Sequence, residues 1–229
     1  MTDRALAETK ACVFDAYGTL FDLTSAARRC ADALGGKAEA LSALWRTRQL
    51  EYSWLRSLMG RHADFWQVTG EALDYAMAQL GIASPALRER LMDAFLTIDA
   101  YADARGVLEA LRRARRPAAI LSNGSPRMLV AATESAGVAA LLDHVLSVED
   151  AGIYKPDRRV YELATRRLGL AAERICFVSS NGWDAAGAAS FGFKAVWANR
   201  AGAPRERLPA EPVAEIASLD ALPALLGLG

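Results

Sequence analysis

Four short polar clusters hold most of the side chains in this sequence that could carry out a reaction. Asp15-Ala16-Tyr17-Gly18-Thr19-Leu20 sets a carboxylate beside a glycine-containing turn and a hydroxyl. Ser122-Asn123-Gly124-Ser125 offers hydroxyls and an amide, and Pro126 behind it suits the first turn of a helix, whose free N–H groups bind anions. Tyr154-Lys155-Pro156-Asp157 brings an ammonium, and Ser179-Ser180-Asn181-Gly182-Trp183-Asp184 a second carboxylate. A carboxylate such as Asp15 can act as a covalent nucleophile through an ester; its plainer use is to cap the turn. An ammonium such as Lys155 can keep nearby carboxylates ionised and ease the approach of an anionic substrate. Its plainer use is as a solvated residue ahead of a turn.

Each cluster follows an apolar run of β type. Such runs occupy 11–15, 118–122, 144–148, 175–179 and 195–198, with a weaker one at 213–216. Most are continuously apolar, as in strands buried on both faces of a parallel sheet. Helical periodicity fills 103–115, 126–137, 157–168 and 184–191, so the pattern is that of an α/β doubly wound, Rossmann-like parallel sheet. Residues 24–100 break the alternation. Leu41, Leu44, Trp45, Leu55 and Leu58 recur at helical spacing, as do Phe65, Val68, Leu73, Ala76, Met77 and Leu80. This stretch reads as a helical cap inserted after the first strand, dividing the chain into a core of 1–20 plus 101–229 and a cap of 21–100. Ligands of open parallel sheets bind beyond the C-terminal strand ends, where the four clusters lie.

Composition narrows the partners. The charges balance, 27 basic against 27 acidic, which gives no reason to expect nucleic acid or a membrane surface. No apolar run approaches the roughly 18 residues of a spanning helix, and MTDRALAETK has charges where a signal sequence needs an apolar stretch, so the expected compartment is the cytoplasm. Cys12, Cys30 and Cys176 form no C-x-x-C pair and read as packing residues. His62 and His144 have no ligand companion in sequence.

Taken together, the clusters and the stretches FDAYGTL, WRTRQLEYSWLRSLMG, ILSNG, IYKPD and FVSSNGWD resemble the four motifs of the haloacid dehalogenase superfamily, and within it the L-2-haloacid dehalogenases. The resemblance runs from about residue 10 to residue 200. It implies a haloacid dehalogenase-like core with a helical cap, a small 2-halocarboxylic acid as substrate, halide as product, no cofactor, and a homodimer. Asp15 is implied as nucleophile, Thr19 as the hydroxyl that orients it, and Lys155 and Asp184 as a charged pair beside it. Asp184, poised by Lys155 and Ser179, would activate water. Arg46 is implied as the cap residue that reaches the departing halide beside Asn181 and Phe65, with Arg48 as its rival. Ser122 and Asn123 would hold the substrate carboxylate. Tyr17, Leu50, Phe65 and Trp183 would form the apolar wall, with Gln49 at its edge and Tyr161 among the substrate contacts. Two positions depart from the family: His62 stands where relatives often carry Tyr, and Ala102 where a Pro often follows the Tyr.

Two features separate this reading from a Mg²⁺-dependent phosphatase of the same superfamily. Phosphatases carry an acid two positions after the nucleophile to protonate the leaving alkoxide. Here that position is Tyr17, and halide, a weak base, needs no proton. They also place several carboxylates in the fourth cluster to hold a divalent ion. Ser179, Ser180 and Asn181 supply none, so no metal is expected. A protein that merely binds a small carboxylate in the capped cleft is the other alternative.

Overall fold

The computed structural model describes residues 2–228. After α1 (Thr2–Ala7) and β1 (Ala11–Phe14) come five helices in succession: α2 (Ser25–Arg29), α3 (Ala31–Leu34), α4 (Ala38–Leu58), α5 (Phe65–Gln79) and α6 (Pro85–Leu96). Alternation then sets in with α7 (Ala102–Arg113), β2 (Ala118–Ser122), α8 (Pro126–Ser135), β3 (His144–Ser147), α9 (Arg158–Leu168), β4 (Ile175–Ser179) and α10 (Gly182–Phe191). It closes with β5 (Lys194–Ala198), β6 (Ala214–Ile216) and α11 (Leu222–Leu225).

All strand pairings are parallel, in the order β3-β2-β1-β4-β5-β6. Every residue of β1, β2 and β4 is buried. Successive side chains of a strand point to opposite faces, so both faces of the central sheet are covered. The chain winds outward from β1 to β3, returns across the sheet, and winds the other way from β4 to β6. The reversal opens a crevice between β1 and β4, flanked by Asp15 and by the segment after Ser179. The doubly wound parallel sheet read from the sequence is therefore the observed architecture, and the weak strand at 213–216 is present as β6, shortened to Ala214–Ile216.

The helices from α2 to α6 leave and rejoin the sheet at one point. Asp22 N donates to Asp99 O at 2.8 Å and Tyr101 N to Leu20 O at 2.9 Å, and Phe21 bridges Ala100. Inside this insert α4 packs along α5. The Trp45 indole donates to Thr69 O at 2.8 Å, and the Gln49 amide donates to Thr69 Oγ1 at 2.7 Å. Asp64 caps α5 by accepting from Trp66 N and Gln67 N, and Ser84 caps α6 ahead of Pro85 at its first turn. The apolar stripe of α4 buries Leu41 and Trp45 but not its C-terminal members, since Leu55 is 49% and Leu58 85% exposed. Cys12, Cys30 and Cys176 are free and buried.

Candidate active site

Asp15 follows β1 directly, and its backbone N–H still pairs with Val178 O in β4 at 2.9 Å, so the sheet aims its side chain. The carboxylate is 6% exposed. Lys155 Nζ donates to Asp15 Oδ1 at 3.1 Å; Asn181 Nδ2 at 2.9 Å and Thr19 Oγ1 at 3.2 Å donate to Oδ2. Thr19 Oγ1 in turn accepts from Ser180 N at 2.8 Å, which ties the turn after Asp15 to the end of β4.

Lys155 lies between two carboxylates, donating also to Asp184 Oδ2 at 2.9 Å. Burial pulls its ammonium down, and the charges of Asp15 and Asp184 outweigh that and hold it above its ordinary value. Asp184, wholly buried in the first turn of α10, is pushed up by burial and by Asp15, while Lys155 and the Tyr161 hydroxyl pull it down. Tyr161 Oη donates to Asp184 Oδ1 at 2.8 Å. A Cβ at Gly187 would stand 2.6 Å from that hydroxyl and 2.8 Å from Pro156 Cβ. Only glycine lets α10 sit close enough to the Lys155 loop for the carboxylate to reach the ammonium.

From the insert, Arg46 on α4 donates to Asn181 Oδ1 at 3.0 Å and to Gln49 Oε1 at 2.9 Å. Burial lowers its guanidinium, against the opposing pull of Asp15 and Asp184. Arg48, the rival two positions on, turns away to Glu51 at 2.7 Å and to the Tyr75 ring at 4.2 Å. The helix face separates the two arginines, turning Arg46 toward Asn181 and Arg48 away from it. Asn181 thus links Arg46 to Asp15, and its Nδ2 also reaches Tyr17 O at 3.2 Å.

The apolar side is aromatic. The Tyr17 ring stacks on Phe95 at 5.3 Å and lies 6.3 Å from Phe65. Its hydroxyl is buried with no hydrogen-bond partner. A Cβ at Gly124 would stand 2.7 Å from Tyr17 Cε2, so that glycine admits the ring against the second cluster. Leu50 is half-buried on the same helix as Arg46. Trp183 meets Trp54 edge to face at 5.3 Å. Both line a cleft of about 670 Å³ together with Leu58, Tyr154, Lys155 and Leu208.

Some predicted residues act at one remove. Ser122 Oγ accepts from Gly124 N at 3.1 Å and shapes the turn, and Asn123 Oδ1 accepts from Lys155 N at 3.1 Å. Ser179 Oγ accepts from Asn181 N at 3.1 Å, so Asp184 has Lys155 and Tyr161 as its hydrogen-bond partners rather than Ser179. Tyr161 is completely buried behind Asp184, not at an open wall. Three residues escaped the sequence reading: Trp54, Glu149 and Arg200. Arg200 donates to Thr19 O at 2.9 Å and to both Asp103 oxygens at 2.8 Å. Trp54 lies within the WRTRQLEYSWLRSLMG stretch but reads there as one more helical aromatic, Glu149 and Arg200 lie outside the quoted stretches, and no local spacing marks a partner so distant in the chain.

The arrangement offers a carboxyl side chain held from three sides, an ammonium shared with a second carboxylate, and a guanidinium and amide facing the same point. Among the described residues no group of three or more His, Cys, Asp and Glu is placed to hold a metal ion.

Comparison with known proteins agrees with this chemistry. The family model for haloacid dehalogenase-like hydrolases matches residues 9–192. (S)-2-haloacid dehalogenase 1 of Pseudomonas sp. (strain CBS-3) is 50% identical over 218 residues, covering 95% of this chain and 96% of that protein. (S)-2-haloacid dehalogenase 4A of Burkholderia cepacia is 52% identical over 198 residues, 86% of each chain. The L-2-haloacid dehalogenase of Xanthobacter autotrophicus with chloropropionic acid covalently bound superposes with a TM-score of 0.87 at 39% identity, covering 96% of this chain and 98% of that one. With the site's geometry, these matches make the chain a member of the haloacid dehalogenase-like hydrolase family.

Proposed function

We propose that this protein is a hydrolase of carbon–halide bonds that converts small L-2-haloacids to D-2-hydroxyacids and halide. The observation that carries the reading is the Asp15 carboxylate, buried and held by Lys155, Asn181 and Thr19, with Tyr17 in place of an acid two residues on. The matches to (S)-2-haloacid dehalogenases over most of the chain support the same reading.

An Asp15 oxygen attacks C2 in line with the carbon–halogen bond. The bonding pair leaves with the halide toward Arg46 and Asn181, and C2 inverts. No proton transfer assists departure, so positioning and preorganised charge lower the barrier. Tyr17, Leu50, Phe65 and Trp183 wall the substrate, Gln49 holds the Arg46 guanidinium, and the Ser122–Asn123 turn meets the substrate carboxylate. Water then adds to the carbonyl carbon of the Asp15 ester, giving its proton to Asp184, which Lys155 and Tyr161 hold in place. The ester C–O bond on the protein side breaks, the hydroxyacid departs with an oxygen taken from Asp15 and the proton returned by Asp184, and Asp15 releases a proton to solvent as its carboxylate is restored with one oxygen from water. The cycle uses residues 21–100 as a cap over a core of 1–20 plus 101–229, and needs neither metal nor cofactor. The protein works as a cytoplasmic homodimer.

A single turnover of L-2-chloropropionate with excess enzyme in ¹⁸O-water tests the route. Halide release, a D-configured product and label in Asp15 are expected, unchanged by chelation. Label in the product hydroxyl would replace this route with direct attack by water, and a strict Mg²⁺ requirement would reject the metal-free site.

A further inference from the structure

We propose that Glu149 is a positioning residue for this reaction: it docks the start of α5, and with it the Phe65 wall of the pocket, onto the loop that carries Lys155. Resting on the reading above for its kinetic consequence, it explains what His62 does at a position where the sequence departs from its family.

Phe65 is the first residue of α5, and its N–H is one of those a helix leaves without an internal partner. Asp64 satisfies the N–H groups of Trp66 and Gln67 but not that of Phe65. Glu149, from the turn after β3, accepts it through Oε1 at 3.2 Å. Its other oxygen, Oε2, lies 2.8 Å from His62 Nε2, so one carboxylate holds two points of the 62–65 segment. The Glu149 and His62 side chains are 21% and 23% exposed. A partly buried carboxylate facing the positive end of a helix, with two N–H donors, is a strong tether. Ser147 Oγ accepts from Glu149 N at 3.2 Å and fixes the turn that presents it.

Tyr154 completes the clamp. Its hydroxyl donates to Ala63 O, and its ring lies 4.9 Å from His62 and 5.8 Å from Phe65. The next residue is Lys155, whose Nζ holds Asp15. The 149–155 loop therefore grips the insert at one end and supplies the catalytic ammonium at the other. Glu149 touches neither substrate nor reacting atoms, and acts by fixing where Phe65 stands relative to Asp15.

Phe65 contacts the substrate in its ground and transition states alike, so loosening it raises KM and spares kcat. Glu149→Ala is expected to raise KM for L-2-chloropropionate about tenfold, the equivalent of one charge-assisted hydrogen bond, with kcat held within about threefold. Exchange of the Phe65 amide proton, followed by NMR, should quicken by about the same factor. Glu149→Gln keeps an acceptor oxygen for Phe65 N–H and should restore both values to within about threefold of the wild type. If Glu149→Ala does not fold, Glu149→Asp, which withdraws the carboxylate by one methylene, should give the same KM rise. Unchanged KM and unchanged Phe65 exchange in the folded Ala or Asp variant would overturn the proposal. So would equal losses in Gln and Ala, or a fall in kcat at constant KM. If the wild type releases no halide, it is the dehalogenase reading that fails, and the Phe65 exchange alone decides the role of Glu149.

Discussion

Tyr17 is the residue on which two chemistries of one scaffold diverge. In a phosphatase an acid here would give its proton to the leaving group. Burial, followed by the nearby Asp15 charge, pushes the Tyr17 phenol far above its ordinary value, so it keeps its proton at neutral pH and is a poor donor to a leaving group. The hydroxyl also has no hydrogen-bond partner, a desolvation cost with no compensating bond. Tyr17→Phe removes that cost and keeps the ring against Phe95 and Phe65. It is expected to raise stability by about 1 kcal/mol in urea titration, and to leave kcat for L-2-chloropropionate within about threefold of the wild type. A hundredfold loss of kcat in a folded variant would show that the phenol takes part in the chemistry. Asp15, Thr19, Lys155, Asn181 and Asp184 were marked out in the sequence by polar clusters after apolar runs and by their likeness to the family's motifs, and the structure brings these five side chains together. The role of Tyr161 was not legible. Its hydroxyl serves Asp184 from behind, and a helical Tyr with a buried partner looks in sequence like any core aromatic.

Elements bring these residues together through joints that have no motif. The turn after Asp15, the start of α7, and the segment after β5 meet at one ion pair. Asp103, in the first turn of α7, accepts from Arg200, Ser218 Oγ and Leu219 N, and Arg200 passes the constraint to Thr19 O. Burial alone would raise the Asp103 carboxyl, but the Arg200, Leu219 and Ser218 bonds outweigh it and hold it below the ordinary carboxylate range. A depressed folded value gives stability that is present above the unfolded pKa, about 3.9, and is lost as pH falls through the folded one. Asp103→Asn should therefore cost about 2 kcal/mol at pH 7, with the gap to the wild type closing as acid protonates the native carboxylate. Urea midpoints between pH 7 and pH 3 test it; a gap that stays constant over that range would assign the loss to packing rather than charge. The strands were legible from mostly unbroken apolar runs, yet this joint was not, since Asp103 and Arg200 lie 97 residues apart.

On the scale of the whole molecule, the parallel sheet was legible, since continuous apolar runs are a strong signal, and helical spacing marked the helices that lie between β1 and α7. The fate of the α4 stripe was not legible, because periodicity reports which residues share a face and not what covers that face. Leu41 and Trp45 are buried within the chain, whereas Leu55, Leu58 and Met59 are 49%, 85% and 63% exposed. Leu208, 43% exposed, lies across the Trp54–Trp183 cleft from Leu58. Clustered large apolar side chains at one end of a helix favour burial against another surface. A second copy of the chain meets that need by symmetry, since one patch can face itself across a two-fold axis. Sedimentation at micromolar concentration should give a dimer, and Leu58→Glu with Met59→Glu a monomer, because a self-facing patch sets each new carboxylate near its own copy. A monomer that keeps full kcat would make the association a matter of stability alone. A loss of kcat on dissociation would make the partner a support for the α4 helix that carries Arg46. A wild type that sediments as a monomer would leave this patch without the partner proposed for it.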